Sequence, residues 1–272
     1  MKDSFLNELE EKLRAENVSN VSEIVNKYSK RYDFGLESGL SEEEIENMLG
    51  SVDEIVNLYK TETRYEYKES FGNLKLNVST VTDNVEFERS KDNEVHVYFE
   101  NIDENSYEIS KTDKEISVSY INKKFFGLNR RRPGTITVAL PQGLSLGKTH
   151  LSTVSGDINS DIDLDSEYLT IEMVSGDSEL KRIASREIKI HVVSGDFEID
   201  EITTTRIEVS TVSGDIEIEK LYADELNSSS VSGDIDIKEA SRTMKVKSSS
   251  ISGSIKINET KYKNFDDKMK EF

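Results

Sequence analysis

Five aspartates, Asp157, Asp177, Asp196, Asp215 and Asp234, recur at intervals of 20, 19, 19 and 19 residues. Each closes the same tetrad, Val-Ser-Gly-Asp, and a sixth copy reads Ile251-Ser252-Gly253-Ser254. Carboxylates repeated at one spacing point to hard-cation chemistry. Calcium is the cofactor such a row would hold, because its ligands are oxygens. The competing reading gives each Asp to its own turn, where it caps backbone N–H groups and faces water. The familiar calcium-binding repeat is Gly-Gly-rich and differs from this one, which favours the turn reading.

Other reactive groups are sparse. The chain has no cysteine, which excludes disulfides, thiolate zinc sites and thiol nucleophiles. His96, His150 and His191 stand alone, each inside a strand-like run, with no metal-ligand spacing. The one concentrated basic stretch, Asn129-Arg130-Arg131-Arg132-Pro133 with Lys123 and Lys124 before it, reads as a solvated hairpin loop. An enzyme of the calcium-dependent, polysaccharide-processing β-helix type would draw on the Asp row and on Arg182, Arg186 and Arg206.

The element that positions the aspartates is a repeat. Gly156, Gly176, Gly195, Gly214, Gly233 and Gly253 are 20, 19, 19, 19 and 20 residues apart, and a period this constant means stacked coils. Two residues after each glycine stand Ile158, Ser178, Phe197, Ile216, Ile235 and Ile255. Five residues before it stand Leu151, Ile171, Ile190, Val209, Ser228 and Ser248. Two before it stand Val154, Val174, Val193, Val212, Val231 and Ile251. These columns are expected to stack at about 4.8 Å per coil and to bury aliphatic ladders, with two or three short strands per coil. The glycine is expected at the corner because it tolerates a positive φ. The serines at 228 and 248 predict a more polar core toward the C-terminal end.

The repeated Ser-Gly-Asp-Ile pattern, entered through Ile136-Thr137-Val138-Ala139-Leu140-Pro141-Gln142-Gly143, resembles the bacterial putative-adhesin family of unknown function. The resemblance covers about residues 70–258. It implies a β-solenoid and carries no catalytic residues to transfer.

Upstream the pattern changes twice. Residues 61–150 alternate with period two, as in Arg64-Tyr65-Glu66-Tyr67-Lys68 and Leu74-Lys75-Leu76-Asn77-Val78. The turns Lys91–Glu94 and Lys111–Lys114 predict hairpins. Residues 1–60 carry helical spacing, with a capping box at Ser41-Glu42-Glu43-Glu44 and a stop at Gly50. The runs FLNELEEKL, YDFGLESGLSEEEIENMLGS and VDEIVNLY resemble the HAAS helical domain of bacterial membrane-stress and regulatory proteins. In that family membrane spans usually follow; here strands do.

The expected fold is therefore mainly β. It is a single-stranded parallel β-helix of about 19–20 residues per coil over 151–258, preceded by a β-rich capping part (61–150) and a helical bundle (1–60), and followed by a cap or tail (259–272). The net charge of −19 opposes nucleic acid and anionic membranes. No apolar run is long enough to span a bilayer, and the N-terminus lacks a signal-peptide core. The sequence as written is thus expected in the cytoplasm, with cell-envelope association as the alternative. Equal coils without insertions favour a non-catalytic binding or scaffold protein, meeting a protein through the bundle or a solenoid face, or a glycan. A self-assembling scaffold is the further alternative.

Overall fold

A computed structural model describes residues 2–16, 18, 21–64, 72–121, 133–241, 244–258 and 260–262. The chain divides into two compact units, Met1–Glu69 and Ser70–Glu271.

The first unit is helical: α1 (Lys2–Ala15), α2 (Val21–Glu37), α3 (Glu42–Leu49) and α4 (Val52–Arg64). Helical spacing puts Phe5, Leu9 and Leu13 of α1 on one buried face, against Tyr28 and Tyr32 of α2 and Ile55 and Val56 of α4. The capping box is present: the Glu44 N–H donates to Ser41 Oγ at 3.3 Å and the Ser41 N–H donates to Glu44 Oε2 at 2.9 Å. Gly50 ends α3 at φ 83°. A second box, Ser51 with Glu54, starts α4 in the same way. Arg64 is the last residue of α4, not the first of a strand. The remainder of the expected strand Arg64–Lys68 lies outside the described residues.

The second unit is a β-solenoid. Its entry strands are β1 (Lys75–Ser79), β2 (Asn84–Arg89), β3 (His96–Glu100), β4 (Tyr107–Lys111), β5 (Glu115–Tyr120) and β6 (Thr135–Leu140). The repeats follow as β7 (Ser145–Thr153), β8 (Ile158–Met173), β9 (Ser178–Val192), β10 (Phe197–Thr211), β11 (Ile216–Ser230), β12 (Ile235–Ala240), β13 (Lys245–Ser250) and β14 (Ile255–Ile257), with β15 (Thr260–Tyr262) last. β7 to β12 and β14 stack in parallel, in the order of the chain, and β13 lies on β11. Between β8 and β11 each coil is one continuous, bent strand of 15 or 16 residues rather than two or three short ones. The extra residue of the first 20-residue repeat is absorbed by an irregularity between Ser160 and Asp163.

The core is a set of ladders. Ile158, Phe197, Ile216, Ile235 and Ile255 are fully or almost fully buried, as are Leu151, Ile171, Ile190 and Val209. Ser228 and Ser248 continue the second ladder, buried, their hydroxyls 2.7 Å apart. Hydroxyls also line a second corner. Ser166, Ser185 and Thr204 are buried and donate to the carbonyls of Tyr168, Glu187 and Arg206, two residues on. These three hydroxyls thus meet acceptors where the coil bends, whereas the neighbouring Thr203 hydroxyl is buried without one among the described residues.

The glycine column has a different cause from the one expected. Only Gly176 and Gly195 in it have positive φ, at 126° and 104°. What all six share is close approach. A Cβ on Gly176, Gly195, Gly214, Gly233 or Gly253 would strike the carbonyl oxygen of the glycine one coil below, inside the 3.0 Å that real Cβ atoms keep. At Gly156 the obstacle is the carbonyl of Asp83. No side chain fits where two backbones stack this tightly.

Both ends turn antiparallel. β4 pairs antiparallel with β5, the expected hairpin at Lys111–Lys114. The turn at Lys91–Glu94 does not make a hairpin. β2 and β3 flank β6 on opposite sides, β2 parallel and β3 antiparallel. At the other end β15 pairs antiparallel with β14. There Asn258 (φ 49°) imitates a further coil: its side chain accepts from the Ala240 N–H at 2.6 Å and donates to the Ala240 carbonyl at 3.1 Å.

Glycine substitution separates close approach from conformational strain. Gly143, at φ 73° with open space around it, should lose about 1 kcal/mol as Gly143→Ala. Gly214→Ala, which drives a methyl into backbone, should lose about 3 kcal/mol or more. Urea unfolding of the two variants measures the difference; equal losses would refute the packing account.

Candidate functional site

The repeated corner is the most regular chemical surface of the molecule. Its aspartates form a column, and each binds the next coil rather than its own. The Asp177 N–H donates to Asp157 Oδ1 at 3.0 Å, the Asp196 N–H to Asp177 Oδ1 at 3.0 Å, the Asp215 N–H to Asp196 Oδ1 at 3.4 Å, and the Asp234 N–H to Asp215 Oδ1 at 2.8 Å. Asn84 Oδ1 begins the series by accepting from the Asp157 N–H, and the Ser254 N–H ends it on Asp234 Oδ1 at 2.7 Å. The column therefore adds a side-chain bond at the aspartate N–H of each corner, beside backbone bonds between coils such as Ser175 N–H to the Val154 carbonyl and Ser194 N–H to the Val174 carbonyl. Among the described residues no group of three or more His, Asp or Glu side chains is placed to hold a metal ion. The structure spreads the five calcium candidates along the rod, one per coil, instead of gathering them.

Beside this column runs a row that the sequence pattern misassigns. Val154, Val174, Val193, Val212 and Val231 are 41–46% exposed and Ile251 is 80% exposed. They do not belong to the core ladders. Period-two alternation puts the preceding residue inward: Thr153, Met173, Val192, Thr211, Ser230 and Ser250 are all buried. The hydroxyls among them tie the corner down. The Gly156 N–H donates to Thr153 Oγ1 at 2.8 Å, Thr211 Oγ1 donates to the Gly214 carbonyl at 2.6 Å, and Ser250 Oγ to the Gly253 carbonyl at 2.5 Å. Where that residue is Met173 or Val192, no hydroxyl is available, and these are the two corners whose glycines take positive φ. The clue in the sequence was the strict conservation of parity: a buried residue immediately before the Val column sends that column outward.

The remaining candidates are structural in their placement. Arg182 pairs with Asp163, Arg186 with Glu167 at 3.2 Å, and Arg206 with Glu225 at 3.0 Å. Each pair links adjacent coils, so these arginines do not converge on the Asp column. Lys238 bridges Glu217 and Glu219 of the coil below, which holds its ammonium pKa above the ordinary lysine value. His96 Nε2 lies 2.8 Å from Asp92 Oδ1, and His191 Nδ1 lies 2.5 Å from Ser210 Oγ. The Glu94 N–H, then His96 and Ser90, hold the exposed Asp92 carboxyl down to about 2. His150 lies in β7, apart from both. Lys123, Lys124 and Arg130–Arg132 lie outside the described residues. No described helix is long and apolar enough to cross a membrane.

The model of one family, Toastrack DUF4097, matches residues 73–269, the solenoid unit without the helical one. Two crystal structures of putative adhesins are similar. One, from Bacteroides fragilis, is 20% identical, with 70% of this chain and 93% of that chain covered and a TM-score of 0.40. The other, from Parabacteroides distasonis, is 14% identical, covering 68% and 92%, with a TM-score of 0.36. No curated protein matches the sequence.

The carboxylate-to-amide column makes two measurable predictions. Asp215→Asn keeps the accepting oxygen, as Asn84 already does at the first coil, and should leave the melting temperature nearly unchanged; Asp215→Ala should lose about 1 kcal/mol. Calcium against chelator, at fixed ionic strength, should leave the melt unmoved. An ion bound to the folded state at a hundredfold excess over its Kd would add about 2.7 kcal/mol, and a calcium-specific rise of that size would make the column a metal site.

Proposed function

This chain belongs to the Toastrack DUF4097 family, and from that premise we propose that it is a non-catalytic binding or scaffold protein, acting in interaction or signalling at the cell envelope through protein or glycan contacts. One observation carries the reading. From β7 to β14 every break between successive strands is four residues long. Catalytic β-helices build their clefts from long insertions at a coil edge, and pockets host most chemistry. Here the breaks are equal, and several outward charges pair between neighbouring coils.

What this surface offers instead is repetition: long columns of identical side chains at one spacing, suited to an extended partner. The helical unit supplies a second contact module, and its resemblance to HAAS domains supports a link to membrane-stress regulation. Self-assembly end to end is the weaker reading, because antiparallel strands cover edges that a growing filament would need.

Two assays on the full chain test this. Incubation with acidic and neutral polysaccharides, with and without calcium, should release neither unsaturated products nor new reducing ends; sustained release would install the enzyme in its place. Photo-crosslinking inside cells that produce the protein should give a recurrent adduct to one protein or glycan. A chain that cross-links to nothing but itself would overturn the binding reading.

A further inference from the structure

We propose that the exposed valine row, with the acidic columns beside it, is the docking face for a basic amphipathic helix of a partner protein. The inference rests on the binding reading and assigns it a surface and a partner chemistry.

The row is exceptional for this molecule. Nine large apolar side chains are exposed among the described residues of the solenoid unit, and six of them form this single line. Scattered exposed apolar residues are ordinary, whereas a contiguous line of them marks an interaction surface. Folding does not call for valine here. The inward neighbours fill the core, and the corner is held by glycine packing and the aspartate column.

Pitch selects the occupant. The five steps of the row span about 24 Å at about 4.8 Å per coil. A helix of about 16 residues has the same length, and it presents one apolar residue per turn of about 5.4 Å. Its apolar stripe drifts from the valine row by only about 0.6 Å per turn. An extended strand laid along the same line would present a side chain every 6.7 Å or so and drift about three times as fast.

Charge selects the partner. On the side past the glycine, the outward residues are Asp196, Glu198 and Asp200 in one coil and Asp215, Glu217 and Glu219 in the next, the last two sharing Lys238 of the coil after. On the other side, ahead of the same two valines, stand Lys189 with His191 and Glu208 with Ser210. The apolar row therefore has one strongly acidic flank and one nearly neutral flank, the complement of a helix with lysine or arginine on one side of its apolar stripe. A second copy of this chain would bring its own acidic columns and its own charge of −19 to the contact. An anionic membrane is repelled for the same reason.

The test uses the full chain and a synthetic probe: a fluorescent Leu/Lys peptide of about 18 residues with one apolar helical stripe. Two controls accompany it, one scrambled at the same composition and one with glutamate for lysine. In fluorescence anisotropy at about 0.15 M salt, the striped basic peptide should bind at least about tenfold more tightly than the scrambled one, and the acidic peptide should not bind. The double variant Val193→Thr, Val212→Thr keeps the β-branched shape and should weaken binding about tenfold with an unchanged melt. Glu198→Gln with Asp200→Asn should weaken it several-fold and flatten its salt dependence. Equal binding of the scrambled peptide, or of the threonine variant, would overturn the proposal. So would a concentration-dependent dimer in sedimentation velocity that the threonine variant abolishes, since the occupant would then be a second copy. If the adduct formed in cells persists undiminished with the threonine variant, the binding reading stands and this docking face falls.

Discussion

The solenoid depends on one distance. Two backbones meet at the Gly156–Gly253 column with no room for a Cβ between them, and that approach sets how every other residue stacks. Once the corner is fixed, the residue two past each glycine must lie over its counterpart one coil away, and the paired registers from Phe197↔Ile216 to Thr211↔Ser230 follow without a slip. A one-residue slip would exchange the inward and outward sets, placing Glu217 and Glu219 in the core and Ile216 and Ile218 in water. The aliphatic ladders are what makes the register worth keeping, and the glycine column is what makes it reachable.

Parallel stacking has an electrostatic consequence. Like residues fall over like residues, so a chain this acidic risks columns of unscreened carboxylates. The structure meets the risk in two ways. On one face basic residues alternate with acidic ones between coils, as in Arg182 over Asp163 and Arg206 beside Glu225. At the corner each aspartate accepts an N–H from the next coil, so the carboxylates are tied to backbone rather than to one another. Exposed ion pairs of this kind contribute little one by one. Their larger effect is on register, because a shifted coil would set like charges against each other.

The ends show how a one-dimensional stack is stopped. At the entry, Asp83 takes the place of a preceding corner: its carbonyl fills the space beside Gly156, while its carboxylate accepts from the Tyr107 hydroxyl at 2.6 Å and the Gly134 N–H at 2.8 Å. Burial, with Asp83 beside it, pushes the Tyr107 phenol far above its ordinary value, so it stays a donor. At the exit, Asn258 and β15 do the corresponding work with a side-chain amide and a reversed strand. Among the described residues the stack is thus stopped by backbone imitation; residues 263–272 of the expected cap or tail lie outside them.

Much of this was legible beforehand. The glycine period, the aliphatic columns and the Ser41–Glu44 capping box are local or strictly repeated, and local patterns survive folding, so the sequence by itself determined a β-solenoid with helices before it. It also located the corner. It could not say what the corner's residues do, because stacking brings together residues 19 or 20 positions apart and their partners lie on other coils. Glycine was expected for its φ and is required at all six corners for close approach. Aspartate was expected to cap its own turn and caps the next one. Valine was counted with the core and stands outside it, because the residue before it takes the inward position and alternation turns valine to the surface. The order β2-β6-β3 was hidden for the same reason: two strands joined by a short turn usually pair, and only the tertiary structure shows β6 arriving later to lie between them.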